Sequence, residues 1–386
     1  KEIYNNGSDI MRTSQFLIKP VSESCNIDCK YCFYKDIANR RDIRNYGYMS
    51  YGTIEAIVKR AYNETEREVS FAFQGGEPLL RGIDFFQYFF ELIDKYNTNN
   101  IRTNISLQTN GMLVTEEWAK LFKKHNVLVG VSLDGPEAIH DRYRLTYKHK
   151  PTHQAVIRGI EHLRKEGVNF NILSVLTKHV ARNIRLVYQF FKEQQFDHIQ
   201  FIEALDRNFS QKGKENYSLS NDDYYYFLST CFQLWFNDLI NGEYVSIRQF
   251  DVMVHKLLGN EHLLACFHQG LCTNQQVIEA NGDVFPCDFY VTEENRLGNI
   301  HDHTLSEMNR TKLLERFIKR STPIPDDCKS CSYFRMCRNG CYRYRINNKY
   351  KYCDALTRFY RKYWDQLLQV AEIVRSNTTA TYEQTG

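Results

Sequence analysis

The stretch "SESCNIDCKYCFYKD", residues 22–36, places three cysteines, Cys25, Cys29 and Cys32, within eight residues. A metal site built from sulfur usually has four protein ligands. The loop supplies no fourth ligand, and the nearest histidine further along the chain is His125. This C-x3-C-x2-C spacing can present three thiolates to one cubic iron–sulfur cluster and leave its fourth iron open. A zinc site is the alternative, provided that a fourth ligand approaches in the fold.

The composition is that of a globular chain with room for two or three domains. Of its 386 residues, 42% are hydrophobic and 25% are charged, and the formal net charge is +4. Charges of both signs are interspersed, so we expect no nucleic-acid partner. No apolar run approaches the roughly 18 residues of a membrane helix, and no stretch has the order of a secretory signal, so we expect a cytoplasmic protein with no membrane partner. In that reducing compartment, twelve cysteines favour metal binding over disulfides.

Six short β-like runs alternate with helical patterns between residues 15 and 205. This alternation predicts an α/β fold of parallel strands with helices outside, and six units predict a partial (β/α)6 TIM-like barrel. We expect the active site at the C-terminal ends of the strands, where the cysteine loop, "QGGEP", "QTNG" and "SLDGP" lie. The six runs are "QFLIKPV", "VSFAFQGGEP", "NISLQTNG", "VLVGVSLDGP", "FNILSVLT" and "HIQFIEAL".

The three-cysteine loop and the segments after the later strands together resemble the signature of radical S-adenosylmethionine (SAM) enzymes. The resemblance implies that Cys25, Cys29 and Cys32 bind a [4Fe-4S] cluster and that SAM fills the open iron site. It also implies that "GGEP" contacts the methionine part of SAM and that Tyr31 lies beside the adenine. The residues that match SAM contacts of the family are Tyr31, Gly75, Gly76, Glu77, Ser132, Arg144 and Leu205.

Eight more cysteines lie between Cys266 and Cys353, enough for two sets of four. Proximity in the sequence alone would group Cys341 with the three cysteines before it, and a zinc ribbon is the alternative to a cluster there. The spacing is similar to that of the SPASM domain, which carries two auxiliary [4Fe-4S] clusters. That resemblance implies a nearer cluster on Cys266, Cys272, Cys287 and Cys341, and a farther cluster on Cys328, Cys331, Cys337 and Cys353.

Long phrases, among them "FAFQGGEP", "SLQTNG" and "PCDFY", resemble the anaerobic sulfatase-maturating enzymes over nearly the whole chain. The resemblance implies oxidation of a cysteine or serine in an unfolded sulfatase to Cα-formylglycine, with a flavodoxin- or ferredoxin-type electron donor. Asp288 follows the cluster ligand Cys287 and matches the catalytic base proposed for that family, although capping a turn is the alternative role. Tyr34 and Gln74 are candidates for holding the substrate peptide. We expect a monomer.

Two other functions fit parts of the pattern. A SPASM peptide maturase, which forms a thioether or carbon–carbon crosslink in a ribosomally made peptide, would share every cluster. We expect such an enzyme to carry a leader-binding domain, and the segment ahead of the first strand is too short for one. The second alternative is a zinc-binding interaction protein without catalytic activity, which iron and sulfide analysis would separate from the enzymes.

The domain order follows from these resemblances. We expect a radical SAM core at residues 12–240, a SPASM domain at 241–355, a C-terminal helix at 356–376 and a frayed tail at 377–386. Cys231 lies apart from both cysteine groups, within an aromatic-rich helical pattern. A cysteine in that position is most often a small buried hydrophobic residue, so we expect no ligand role for it.

Overall fold

The computed structural model describes residues 11–207, 213–260 and 264–384, with side chains described as far as residue 376. Two compact units interleave along the chain. The first holds the described residues up to Leu133, with His140–Asn171 and Thr273–Ile318; the second holds Asp134–Ile139 and the described parts of 172–272 and 319–384. These units do not follow the expected boundary at residue 240, and the division into a core and a SPASM domain stays a prediction.

The described residues form β-strands and α-helices, both short and long. The strands are β1 (Met11–Ile18), β2 (Thr65–Phe73), β3 (Arg102–Thr109), β4 (Leu128–Ser132), β5 (Phe170–Leu176), β6 (His198–Glu203), β7 (Ser246–Ile247), β8 (Val277–Ile278), β9 (Asp283–Phe285), β10 (Gly298–Asn299), β11 (Arg345–Ile346) and β12 (Lys349–Tyr350). The helices are α1 (Phe33–Ala38), α2 (Tyr51–Asn63), α3 (Ile83–Tyr96), α4 (Glu116–Lys124), α5 (Glu137–His140), α6 (His153–Lys165), α7 (Lys178–Arg182), α8 (Ile184–Glu193), α9 (Asn221–Ile240), α10 (Arg248–Leu257), α11 (Cys266–Gln269), α12 (Leu305–Asn309), α13 (Lys312–Lys319), α14 (Asp326–Lys329), α15 (Phe334–Cys337) and α16 (Cys353–Gln384).

The sheet of the first unit is mostly parallel. Strands β1, β2, β3 and β4 lie side by side in that order and run parallel. Strand β8 pairs in parallel with the other edge of β1, and β9 and β10 follow it antiparallel. The predicted α/β fold with a mostly parallel sheet is confirmed. Strands β8 to β10 have two or three residues each, too few for an alternation that periodicity could predict.

An aromatic core holds β2 against the helices that follow and precede it. Phe73 on β2 lies 5.0 Å from Phe86 and 4.8 Å from Phe89 of α3, measured between ring centroids. Helix α2 begins after Ser50, whose side chain accepts a hydrogen bond from the backbone of Thr53. Burying one such aromatic side chain stabilises the fold by roughly 1.5–3 kcal/mol. This packing fixes the C-terminal end of β2, from which the "GGEP" loop leaves.

In the second unit, β5, β6 and β7 run parallel. Helix α9 packs on α16, where the rings of Phe232 and Phe359 lie 5.4 Å apart. Cys231 on α9 is fully buried, so the expectation that it is a core residue is confirmed.

Helix α16 differs from the predicted C-terminal element. It begins at the cluster-type cysteine Cys353 rather than at residue 356, and it runs to Gln384, through most of the expected tail. The segment contains neither glycine nor proline, so nothing in it breaks the helix, although Tyr363 departs from helical angles. Residues 385 and 386 lie outside the described chain. No helix in the described ranges is long and apolar enough to cross a membrane.

Candidate active site

The three cysteines of the opening loop lie between β1 and α1, and each is partly buried. Two polar side chains reach their sulfur atoms. Nδ2 of Asn110 lies 3.8 Å from Sγ of Cys25, and Nη1 of Arg144 lies 3.8 Å from Sγ of Cys29. Hydrogen bonds to ligand sulfurs are among the interactions that set the properties of an iron–sulfur cluster. The loop therefore offers three thiols with donors already in place around them.

Tyr31 of this loop and Arg144, which follows α5, are two of the predicted SAM contacts and lie next to each other. The guanidinium carbon of Arg144 is 5.4 Å from the centre of the Tyr31 ring, and Tyr143 meets that ring edge-on at 6.0 Å. Arg144 is buried. A cation–π contact of this kind holds the ring in one orientation.

The "GGEP" loop lies against the cysteine loop. The backbone N–H of Glu77 donates to the carbonyl of Ser24 at 2.8 Å, and a Cβ at Gly76 would lie 2.1 Å from the same carbonyl oxygen. Gly76 also has a positive φ of 57°. Only glycine allows this approach without displacing backbone. The pairing keeps the loop after β2 next to the three cysteines.

The side chain of Glu77 is engaged within the protein. It is fully buried, and its carboxylate accepts hydrogen bonds from the backbone of Leu79, the backbone of Asn110 and the hydroxyl of Thr109. Burial raises the pKa of Glu77 to about 7, against the lowering effect of these donors. The carboxylate thus ties the loop after β2 to the loop after β3, and its predicted contact with SAM stays a prediction.

Asp288 lies at the start of a short 3-10 turn, directly after Cys287, and is buried. Its Oδ2 accepts hydrogen bonds from Oη of Tyr34 at 2.7 Å and from Nε2 of Gln74 at 2.8 Å. Its Oδ1 accepts none from the described residues. Burial raises the pKa of Asp288, and it keeps the pKa of Tyr34 well above the usual range, so that Tyr34 stays a donor. The two substrate-binding candidates therefore hold one oxygen of the carboxylate.

A buried group of charges next to this carboxylate was not predicted from the sequence. Nζ of Lys19 and Nη1 of Arg41 each lie 2.6 Å from Oε1 of Glu279, and Nζ of Lys19 is 4.9 Å from the centre of the Tyr34 ring. A Cβ at Gly75 would lie 2.7 Å from Cε of Lys19, so Gly75 makes room for this lysine. The phrase "LIKP" contains Lys19, but nothing in a linear pattern indicates its partner.

Ser132 and Leu205 are the remaining predicted SAM contacts. Ser132 ends β4, and its Oγ accepts a hydrogen bond from Gln108 on β3. Leu205 follows β6 in the second unit and is buried. The contact of either residue with SAM stays a prediction.

Seven of the eight cysteines of the second group lie in the second unit. Cys328, Cys331, Cys337 and Cys353 line one cavity. Cys341 does not line that cavity. Burial raises its pKa to about 12, and the thiols of Cys266 and Cys272 add to the rise. Grouping by sequence proximity is thus not the arrangement in the structure.

These donor sets fit the groups that the sequence implies. Four thiols around one cavity suit a fully ligated cluster, and three thiols with polar donors at their sulfurs suit a cluster with an open iron. Burial raises the pKa of Cys25 to about 12, so the positive charge of iron is needed to keep its thiolate at neutral pH. Cys287, the remaining ligand predicted for the nearer cluster, belongs to the first unit.

Comparison with known proteins identifies the family. Residues 20–190 match the radical SAM superfamily and residues 270–332 match the SPASM iron–sulfur cluster-binding domain. The chain is 43% identical over 368 residues to a cysteine-type anaerobic sulfatase-maturating enzyme of Clostridium novyi, covering 94% of this chain and 98% of that protein. It is 33% identical over 347 residues to a serine-type enzyme of Bacteroides thetaiotaomicron, covering 86% and 83%.

Comparison with solved structures supports the same family. The enzyme named anSMEcpe, with bound AdoMet and the peptide Cp18Cys, superposes with a TM-score of 0.88 at 41% identity, covering 94% of this chain and 99% of that one. SuiB of Streptococcus suis, bound to its precursor peptide SuiA, superposes with a TM-score of 0.62 at 17% identity over 90% of this chain and 76% of that one, which shows a shared fold alone. The chain belongs to the anaerobic sulfatase-maturating enzymes, radical SAM oxidoreductases with SPASM iron–sulfur domains that form Cα-formylglycine.

Proposed function

We propose that this enzyme oxidises a cysteine in an unfolded sulfatase to Cα-formylglycine, with Asp288 as the base that takes the thiol proton. The cysteine-type enzymes of Clostridium novyi and Clostridium perfringens, 43% and 42% identical to this chain, support a cysteine target. The single observation that carries the catalytic assignment is the buried Oδ1 of Asp288, which accepts no hydrogen bond from the described residues. A thiol that approaches this oxygen would find an acceptor without competition.

The residues around Asp288 orient it. Tyr34 and Gln74 donate to Oδ2, so the other oxygen is left for the substrate. Tyr34 and Gln74 also contact one another at 2.9 Å, which limits rotation of the carboxylate. Burial raises the pKa of Asp288, which makes it a stronger base than an exposed aspartate. When bound, SAM and its cluster supply the radical that removes hydrogen from the substrate Cβ, and the auxiliary clusters supply an electron acceptor.

The test is an anaerobic assay with SAM, a reductant and paired sulfatase peptides that differ only in cysteine or serine at the target position. We expect mass spectrometry to show the aldehyde from the cysteine peptide, together with one sulfide released for each aldehyde formed. Aldehyde from the serine peptide alone would overturn the cysteine assignment. A thioether or carbon–carbon crosslink without aldehyde would overturn sulfatase maturation in favour of a crosslinking peptide maturase.

We also propose a cellular location, an oligomeric state and a class of electron donor, which the family resemblance supports. The enzyme would act in the cytoplasm as a monomer and take electrons from a flavodoxin- or ferredoxin-type donor. Light scattering of the purified enzyme tests the monomer. Replacement of the chemical reductant by reduced flavodoxin or ferredoxin, with aldehyde yield as the readout, tests the donor.

A further inference from the structure

Arg345 joins the loops that carry auxiliary cysteines in the second unit. Its Nη2 donates to the carbonyls of Gly270 at 2.7 Å and Gly340 at 3.1 Å. Its Nη1 donates to the carbonyl of Ser321 at 2.8 Å, and its Nε donates to that of Asn339 at 3.0 Å. All four acceptors are main-chain oxygens. The fork geometry of a guanidinium makes such a multiple contact possible where an ammonium would make fewer.

The loops joined in this way lead directly to cluster-type cysteines. Gly340 precedes Cys341, and Gly270 stands two residues before Cys272. The thiols of Cys272 and Cys341 are also the two groups that most strongly favour the charged form of Arg345, whose pKa is otherwise lowered by burial. Arg345 therefore binds the main chain of two loops that carry predicted ligands of the nearer auxiliary cluster.

Among the described residues, Arg345 forms no ion pair with a carboxylate. Within the ranges that the structure describes, its hydrogen bonds go only to the four carbonyls, and its ring contact is with Tyr342 at 5.8 Å. The buried cations of the first unit differ, since Lys19 and Arg41 both pair with Glu279. The groups that act most strongly on Arg345 are thus the sulfur atoms of Cys272 and Cys341, which are thiolates when they bind iron.

A positive charge beside a cluster favours the reduced form, which carries one more negative charge than the oxidised form. The interaction is little screened when the charge is removed from water. Net charge and surrounding charges are among the factors that set cluster potentials. We propose that Arg345 is a positioning residue that raises the reduction potential of the auxiliary cluster bound by Cys272 and Cys341 and so makes it a better electron acceptor.

This inference rests on the proposed function for its role in turnover. In that reaction Asp288 would take the proton of the substrate thiol, and the auxiliary cluster, when bound, would supply an acceptor for the one electron that the substrate radical loses. A higher potential makes this transfer more favourable. The potential itself can be measured without any substrate, so its test is independent of the formylglycine assay.

The experiment uses the full chain with Cys25, Cys29 and Cys32 replaced by alanine, so that only the auxiliary clusters remain. Each protein should first be shown to hold about eight irons, four for each cluster. Potentiometric titration followed by electron paramagnetic resonance then compares Arg345→Gln, Arg345→Lys and the exposed control Arg375→Gln. We expect Arg345→Gln to move the couple of the cluster bound by Cys272 and Cys341 to a more negative potential, and to move the other auxiliary couple less, because Cys328 is only the weakest of the thiols that act on Arg345. Arg345→Lys and the control should stay near the parent.

Unchanged potentials in an iron-replete Arg345→Gln protein would overturn the proposal. If Arg345→Gln loses iron, Arg345→Lys decides. A potential kept near the parent supports a role for the charge, and a more negative potential despite the retained charge contradicts it. In the active enzyme, Arg345→Gln should lower the aldehyde formed per 5′-deoxyadenosine several-fold. If the parent enzyme forms no aldehyde while the potential still shifts, the proposed function fails and the effect of Arg345 on the cluster stands.

Discussion

Two buried carboxylates in the first unit, Glu77 and Asp288, have different surroundings. Both oxygens of Glu77 accept hydrogen bonds, from one hydroxyl and two backbone amides. Asp288 receives two donors on Oδ2 and none from the described residues on Oδ1. Burial raises the pKa of both groups. A carboxylate whose acceptors are all used holds loops together, whereas one with an unused oxygen is available to accept a proton.

The charged groups nearby also differ between Asp288 and Glu77. Lys19 opposes the rise in the pKa of Asp288, while only hydrogen-bond donors oppose it for Glu77. Lys19 is held in turn by Glu279, which is itself paired with Arg41. Although burial disfavours ionisation, these two cations hold the pKa of Glu279 below its usual range. The proposed base is therefore next to a fixed buried charge, and the loop-tying carboxylate is next to neutral donors.

The largest expected effect is that of Asp288→Asn. The amide cannot take the thiol proton, so formylglycine formation should fall by about 10²–10⁴-fold. Release of 5′-deoxyadenosine should persist, because the opening cysteine loop is unchanged. Chromatography of 5′-deoxyadenosine and mass spectrometry of the peptide measure the two products, with the exposed Asp302→Asn as a control. Full aldehyde yield from Asp288→Asn would remove this residue from the mechanism.

The second prediction concerns Glu77→Gln. Replacing an acceptor oxygen by an N–H group leaves at least one buried donor unsatisfied, so the free energy of unfolding should fall by roughly 1–3 kcal/mol. Anaerobic denaturant unfolding of the cluster-loaded enzyme measures this loss.

The loss should also depend on pH. The pKa of Glu77 is about 7 in the folded protein against a usual 4.5, so the folded state holds more protons between these values. Stability from this group is greatest below about pH 4.5 and declines as the pH rises towards 7. Glu77→Gln removes that slope, and the variant should differ more from the parent at pH 5 than at pH 8. A difference that grows with pH would contradict the assignment.

The smallest effect expected is that of Tyr34→Phe. It removes one donor to Oδ2 of Asp288 and leaves the donor from Gln74. A hydrogen bond to a charged group contributes about 1.5–3 kcal/mol, so kcat should fall by about 10- to 150-fold, with little change in KM. The matched control is Tyr96→Phe, which removes a 2.7 Å hydrogen bond to Glu55 outside the site. Equal losses in both variants would show that Tyr34 acts only through stability.

Much of the site could be predicted from local sequence. The spacing of Cys25, Cys29 and Cys32 indicates one cluster with an open iron, because three thiols in a short loop can reach one group but cannot complete its ligands. The role of Asp288 was predicted from the family resemblance, in which the proposed base directly follows the predicted ligand Cys287, and it stays a prediction. The partners of Glu77 could not be predicted, since Thr109 ends a different strand, Asn110 follows it, and both reach the carboxylate only once β2 and β3 pair.

The sequence by itself determined the α/β alternation, the parallel order of the early strands and the two groups of cysteines, because periodicity and spacing act over a few residues. Only the tertiary structure decided which carboxylate keeps an unused oxygen. Tyr34 and Gln74 lie 254 and 214 positions from Asp288 in the chain, and Lys19 lies 260 positions from Glu279. Contacts at such separations depend on strand β8 docking beside β1, and a two-residue strand leaves no periodic pattern in the sequence.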